Sequence, residues 1–551
     1  MKTFFSFKYT SYLFIALIGI VLYVPFLGSV HLFDWDEINF AESAREMLVS
    51  GNYLDVQINY EVFWEKPPLF IWLQALSMHV FGINEFAARF PNALIGIATL
   101  MTLFSIGKKL INEKFGWIWM FAHALSVLTF LYFKSGIIDP LFNLFIFLGI
   151  YQFILFAQRD NNKWYRTGLS AFFIGLAILT KGPVALLLFL LTAFFYMIFR
   201  KKYVQFLNLK IILWYLFILS GVGGFWFILQ FINGNASILQ DFITYQIRLF
   251  QTKDAGHGGF LLYHFVVVLL GLFPISIWAL GGMKTIQNET ATTKDFHFWM
   301  KILLWVVLVL FTIVKTKIVH YSSMAYFPIT FFGSYFLYYG LEQKKQFASW
   351  MKYSLVGIAF LFGLAMSALP LIGMNASKII ASGMIKDAFA NANLQAEVQW
   401  TGLEILVGII FFSSILVAMF KVKSKRNQII TIFSATLFFT YASMIWIVPN
   451  IEAYSQRAAI DFYQKASREK AYITTFGFKS YAHLFYSRKP LPKNPKHSDT
   501  HWLLNEITDQ KVYVVAKNIK AQKFEKEHPN FIKLYEQNGF VFYEKTSPIQ
   551  P

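Results

Sequence analysis

Asp34-Trp35-Asp36-Glu37 places three carboxylates within four residues, directly after the first apolar run of the chain. A carboxylate held where water is scarce can take a proton from a hydroxyl, so Asp36 and Glu37 are candidates for general base chemistry. The same residues also suit the start of a helix over Phe40–Val49, with Asp34 or Asp36 as its N-cap. Glu65-Lys66-Pro67-Pro68-Leu69 comes next. Its paired prolines stiffen the turn and fix where the preceding side chains point. Lys66 is then placed to meet a phosphate, with Glu65 pointing into the same site. The plainer alternative is a helix start with Lys66 snorkelling.

Asp139 opens an apolar run in Ile137-Ile138-Asp139-Pro140. It can cap that helix, with Pro140 in the first turn, or serve as a partner to Asp36. Thr180-Lys181-Gly182-Pro183 separates two apolar runs. A lysine there is costly unless it is paired, faces water or snorkels. The segment 233–258 carries Arg248, Lys253 and Asp254 and runs into Gly256-His257-Gly258-Gly259, where glycines allow a ligand to approach closely. Lys315-Thr316-Lys317 and His320-Tyr321 follow a later apolar run.

These residues need elements to hold them, and the composition says what kind. Of 551 residues, 56% are hydrophobic and 14% charged. Soluble domains carry about 25% charged residues. Thirteen apolar runs suit membrane spans, near 11–30, 86–107, 115–133, 139–157, 168–180, 184–199, 211–232, 259–283, 302–314, 323–340, 353–375, 403–420 and 429–448. Runs 168–180 and 302–314 are short and must extend into their polar neighbours. The first run, Ser11–Val30, has no small-residue cleavage site and reads as an uncleaved span. With the N-terminus inside, the inner segments hold 22 Lys and Arg against 11 on the outer side. That bias predicts a cytoplasmic N-terminus and, after an odd number of spans, an extracytoplasmic C-terminal tail. The net charge of +19 follows this topology, which argues against a nucleic-acid partner. The absence of cysteine excludes disulfides, thiolate metal sites and a cysteine nucleophile.

The first outer loop, 31–85, reverses the trend with nine acidic residues against Arg45 and Lys66. Helices at Phe40–Val49 and 69–81 are expected to lie at the membrane interface. In this topology Lys66, Lys181, Arg248, Lys315 and Lys317 share one face with Asp36, Glu65 and Asp139. Cations at a membrane rim suit a phosphate or pyrophosphate headgroup. Nearby carboxylates suit acid–base work or a divalent metal. Residues 1–448 therefore read as a membrane unit. Residues 449–551 read as a small α/β domain outside it, with strands at Tyr472–Phe476, Val512–Ala516 and Val541–Tyr543 and a helix at Ala521–Glu527.

The ordered set Asp36-Glu37, Ala41-Glu42-Ser43-Ala44-Arg45-Glu46-Met47, Glu65-Lys66-Pro67-Pro68-Leu69 and Phe86-Ala87-Ala88-Arg89-Phe90-Pro91 resembles the bacterial branch of the GT-C glycosyltransferases. Leu179-Thr180-Lys181-Gly182-Pro183 and Lys315-Thr316-Lys317 with His320-Tyr321 continue the resemblance, over roughly residues 10–340. It is nearest to the aminoarabinose lipid A transferases and their protein O-mannosyltransferase relatives. The resemblance implies transfer of a sugar from a polyprenyl phosphate, with inversion, to lipid A, another glycan or a protein, at the bacterial inner membrane. It implies Asp36 as the base, with Glu37 beside it, and Asp139 as a second acid shaping the acceptor site. Lys66, Lys181 and Arg248 would hold the donor phosphate, joined by Lys315, Lys317 and Tyr321. Glu65 and His257 resemble positions that hold a divalent metal (Zn, Mg or Mn). A transporter or flippase of a lipid-linked sugar is the alternative. It would be expected to show internal repeats and midplane charges.

Overall fold

The computed structural model describes residues 7–158, 163–201, 208–235, 237–251, 258–285, 289–343 and 347–546. Every one of the thirteen apolar runs contains helix. Run 168–180 does extend into its polar neighbours, as Lys163–Lys181, and run 302–314 becomes Ala291–Ile313. Not every run is one straight rod. Leu209–Gly223 and Phe225–Ile232 meet at 61°, and Tyr263–Gly271 and Ile275–Gly282 at 111°. Among the described residues, five helices are long and apolar enough to cross a membrane, or seven if each bent pair is one span. The chain is a multi-pass helical membrane protein.

Tight helix packing relies on small residues. Helix α4 spans Glu85–Leu110 and packs on Glu113–Ala124, where a Cβ on Gly107 would sit 2.8 Å from the Gly116 Cα. Such close approach is typical of helices associating in an apolar medium.

Helix α1 (Phe7–Tyr23) leads into the acidic loop, which forms α2 (Asp36–Ser50), a short hairpin of β1 (Gln57–Ile58) and β2 (Glu61–Val62), and α3 (Leu69–Phe81). The expectation that α2 lies at an interface is corrected by its burial. Every residue from Glu37 to Met47 is enclosed. The helix is sandwiched between α3 and the C-terminal helix Ala482–Tyr486.

The C-terminal region forms a four-stranded sheet of β3 (Ala471–Phe476), β4 (Lys511–Lys517), β5 (Phe531–Gln537) and β6 (Phe540–Lys545), in the order β3-β4-β6-β5. β3 and β4 are parallel, and the other pairs are antiparallel. β5 is an edge strand with only Phe531 buried, so it lacks the alternating apolar pattern that marks a half-buried strand. The sheet is fused to the loop beneath it. Phe485, Tyr513, Val515 and Phe542 share one apolar core with Phe40, Met47 and Phe70. Arg45 Nη1 and the Tyr60 hydroxyl both donate to the Lys489 carbonyl, at 2.7 and 2.8 Å, and Lys489 Nζ donates to Asn59 Oδ1 at 2.6 Å.

Candidate active site

One cavity of about 1080 Å³ lies where the loop, four helix ends and the C-terminal sheet converge. Asp36 enters it from the first turn of α2. Trp35 occupies the N-cap position and makes no side-chain capping bond, so neither Asp34 nor Asp36 serves as the cap. Glu65 and Lys66 enter from the turn that Pro67 and Pro68 stiffen ahead of α3. Asp139 is the first residue of the helix Asp139–Ala157, and Lys181 the last of Lys163–Lys181. Gly182 stops the latter helix at φ +105°, where a Cβ would lie 2.6 Å from Phe242. Glycine alone adopts that conformation without strain. Arg248 comes from Ser237–Gln251, and His320 and Tyr321 from the short turn of helix Val319–Ala325. Leu187, Leu310, Phe311 and Val314 form an apolar wall.

The polar groups form a connected array. Lys181 Nζ donates to Asp139 Oδ1 at 2.5 Å. The other oxygen of Asp139 lies 3.8 Å from His320 Nε2, which is 3.2 Å from Asp36 Oδ2. Lys66 Nζ donates to the Tyr245 hydroxyl at 3.3 Å and sits 4.8 Å from the centre of that ring. The Arg248 guanidinium lies 5.0 Å from the same ring, and Lys181 lies 5.1 Å from the ring of Tyr321. These cation–π placements help to fix where the positive groups sit in the cavity. Burial lowers the Lys66 pKa, while Glu65, Asp36 and Asp139 push it back up. Burial also raises the Asp34 carboxyl, which Ser480 and the Tyr481 backbone partly offset by hydrogen bonding.

Several sequence-derived candidates lie elsewhere. Glu37 does not line the cavity. Its carboxylate accepts from Arg89 Nε and Nη2 at 3.0 and 2.8 Å and from the Phe33 and Gly136 amides at 2.9 and 2.5 Å. With its lone pairs taken, Glu37 is a structural anion rather than a base. Lys317 Nζ donates to the Phe311 and Thr312 carbonyls, both at 2.7 Å, closing the end of the helix Ala291–Ile313. It satisfies carbonyls that a helix C-terminus leaves without intrahelical partners, so it does not reach a ligand. Lys315 is exposed and outside the cavity lining. His257, with Lys253 and Asp254, lies outside the described residues. Glu65 lines the cavity, but no group of three or more His, Asp or Glu gathers as a metal site among the described residues.

Other lining residues carry little signal in the sequence. His320 lies beside Tyr321 in a segment whose spacing assigns the histidine no role. Tyr245 carried no signal. Lys479, Tyr481 and Lys517 reach the cavity from a region whose sequence holds no readable motif.

Residues 65–226 match the model of a family described as dolichyl-phosphate-mannose-protein mannosyltransferase. The chain is 26% identical over 327 residues to the undecaprenyl phosphate-alpha-4-amino-4-deoxy-L-arabinose arabinosyl transferase of Shewanella sediminis, covering 57% of each. It is 25% identical over 341 residues to one from Proteus mirabilis, covering 60% of each. The chain thus spans less than two thirds of the length of these curated relatives. Its fold is that of ArnT from Cupriavidus metallidurans. The TM-score is 0.73 against the apo structure, at 15% identity and with 98% of both chains covered. Against the structure bound to undecaprenyl phosphate it is 0.71, covering 97% of this chain and 98% of that one.

Proposed function

We propose that this chain, a GT-C-fold membrane protein of the aminoarabinose transferase and protein mannosyltransferase type, is a glycosyltransferase that uses a polyprenyl-phosphate-linked sugar. The observation that carries this reading is the single cavity in which Asp36 and Asp139 face Lys66, Lys181 and Arg248 beside an apolar wall. Cations suit the donor phosphate, the wall suits the first isoprene units, and a carboxylate suits the attacking group.

In the reaction, an acceptor oxygen attacks the anomeric carbon as the bond from that carbon to the donor phosphate oxygen breaks. The new C–O bond forms on the opposite face, so configuration inverts. Polyprenyl phosphate leaves with the bonding electron pair, and Lys66 and Arg248 stabilise its charge. Asp36 takes the proton of a hydroxyl acceptor. A phosphate acceptor has little proton to lose, and Asp36 then orients it. Asp139 is already bonded to Lys181, so its role is to fix that lysine and His320 rather than to act as the base. No step is assigned to a metal. The distribution of basic residues supports a cytoplasmic N-terminus, with the cavity and residues 449–551 on the far face as an α/β unit over the membrane unit 1–448.

The test is reconstitution in liposomes with undecaprenyl-phosphate-linked sugars and envelope lipid extracts, followed by mass spectrometry. Sugar transfer that disappears in Asp36→Asn is the expected result. Transport of the lipid-linked sugar without transfer would overturn it.

A further inference from the structure

The C-terminal sheet closes the cavity with two cations that the donor site does not need. Lys479 follows β3, in a turn that begins at Gly477 with φ +79°, and Lys517 ends β4. Both line the same cavity as Asp36. Lys479 Nζ lies 5.1 Å from the Trp35 ring centre and 5.4 Å from that of Tyr481. Lys517 Nζ lies 4.5 Å from Phe389 and 5.5 Å from Phe478. Among the described residues neither ammonium has a carboxylate within ion-pair distance. Of the two acids that flank Trp35, Asp34 is taken up by Ser480 and the Tyr481 backbone, and Asp36 lies 3.2 Å from His320 Nε2. Two lysines resting on ring faces at a cavity wall are placed to meet an anionic group of a ligand.

They differ from the donor cations in origin. Lys66 comes from the loop before α3, Lys181 from the end of Lys163–Lys181 and Arg248 from Ser237–Gln251. Lys479 and Lys517 come from the sheet, with the stacked rings of Trp35 and Tyr481, at 6.2 Å and 18°, beside Lys479. Trp35 directly precedes Asp36, so this wall sits next to the reacting carboxylate. Flat aromatic faces next to cations suit a saccharide that carries an anionic group.

We propose that Lys479 and Lys517, with the Trp35–Tyr481 stack, form an acceptor subsite for an acidic saccharide, one bearing a phosphate or a carboxylate. This rests on the glycosyltransferase reading. The subsite makes the sheet a determinant of specificity: it holds the acceptor's charge while Asp36 addresses the attacking oxygen.

The test measures binding in the absence of donor, so it is separate from turnover. Full-length protein in nanodiscs is titrated with octyl glucoside 6-phosphate, octyl glucuronide and neutral octyl glucoside below micellar concentration. The wild type is expected to prefer at least one anionic probe over the neutral one by ~10-fold or more, the scale of a charge-assisted hydrogen bond. The phosphate and glucuronide arms identify which anion is recognised. Lys479→Gln with Lys517→Gln should erase that preference, while Lys479→Arg with Lys517→Arg restores it. Affinity for undecaprenyl phosphate should be unchanged in both. No anionic preference in the wild type, an equal loss for charged and neutral probes, or a preference surviving in the glutamine variant overturns the subsite. An acceptor found to be an uncharged polypeptide hydroxyl also overturns it. Failure of sugar transfer in the wild type, with anionic preference intact, counts against the glycosyltransferase reading instead.

Discussion

His320 Nε2 stands 3.2 Å from Asp36 Oδ2 and 3.8 Å from Asp139 Oδ2, so one imidazole spans the two carboxylates that lie 103 residues apart in sequence. Lys181 occupies the far oxygen of Asp139. The array is therefore asymmetric. Asp139 is held by a lysine and a histidine, while Asp36, with its side chain 34% exposed, is the carboxylate left accessible to a substrate.

Asp36→Asn is expected to lower kcat by about 100- to 10,000-fold, the usual contribution of a general base. Binding of undecaprenyl phosphate should persist, as measured by titration of the purified variant. His320→Ala should cost less, because it removes an orienting neighbour and leaves the base. Wild-type turnover in Asp36→Asn would rule out the assignment.

Lys66→Ala is expected to weaken donor-lipid affinity by about 10- to 100-fold, the range for a hydrogen bond to a charged group. Thermal stability should change little, because the Lys66 contact with Tyr245 is a long one at 3.3 Å. An unchanged dissociation constant would remove Lys66 from the phosphate site.

Glu37→Ala should act through folding. The Glu37–Arg89 pair is buried, with side-chain exposures of 5% and 6%. Removing one partner strands the other and costs about 3–5 kcal/mol. The expected readout is a lowered unfolding midpoint and poor recovery of protein from membranes. The protein that does fold should keep its donor affinity.

A stability change with pH should trace to Glu46. Burial and the neighbouring Glu42 push its carboxyl up to about 9, against the pull of the Tyr60 amide and Arg45. The folded state therefore keeps a proton that the unfolded chain releases near the ordinary carboxylate range. Stability falls as pH rises between that range and about 9, because the folded state binds the extra proton. The unfolding midpoint should drop between pH 5 and pH 8, and Glu46→Gln should flatten that slope. An equal slope in the variant would place the titration elsewhere.

The sequence alone was enough for the helical membrane class and for most of the charged groups of the cavity. Apolar runs of membrane length and a charged residue in an apolar setting are both local signals. Lys181 and Asp139 could be picked out because they sit at the ends of apolar runs, where lipid makes a charge expensive without a purpose, and Asp36 and Lys66 because of the acidic cluster and the paired prolines beside them. Local signals could not say which charges meet. Glu37 and Lys317 had the right type and neighbourhood, yet one is spent on Arg89 and the other on two carbonyls. The bent pair Tyr263–Gly271 and Ile275–Gly282 reads as one apolar run because hydropathy carries no direction. Lys479 and Lys517 lie in polar sequence, where a lysine costs nothing and so signals nothing. Only the docking of the sheet onto α2 brings them beside Asp36, through a core shared by residues more than 400 positions apart.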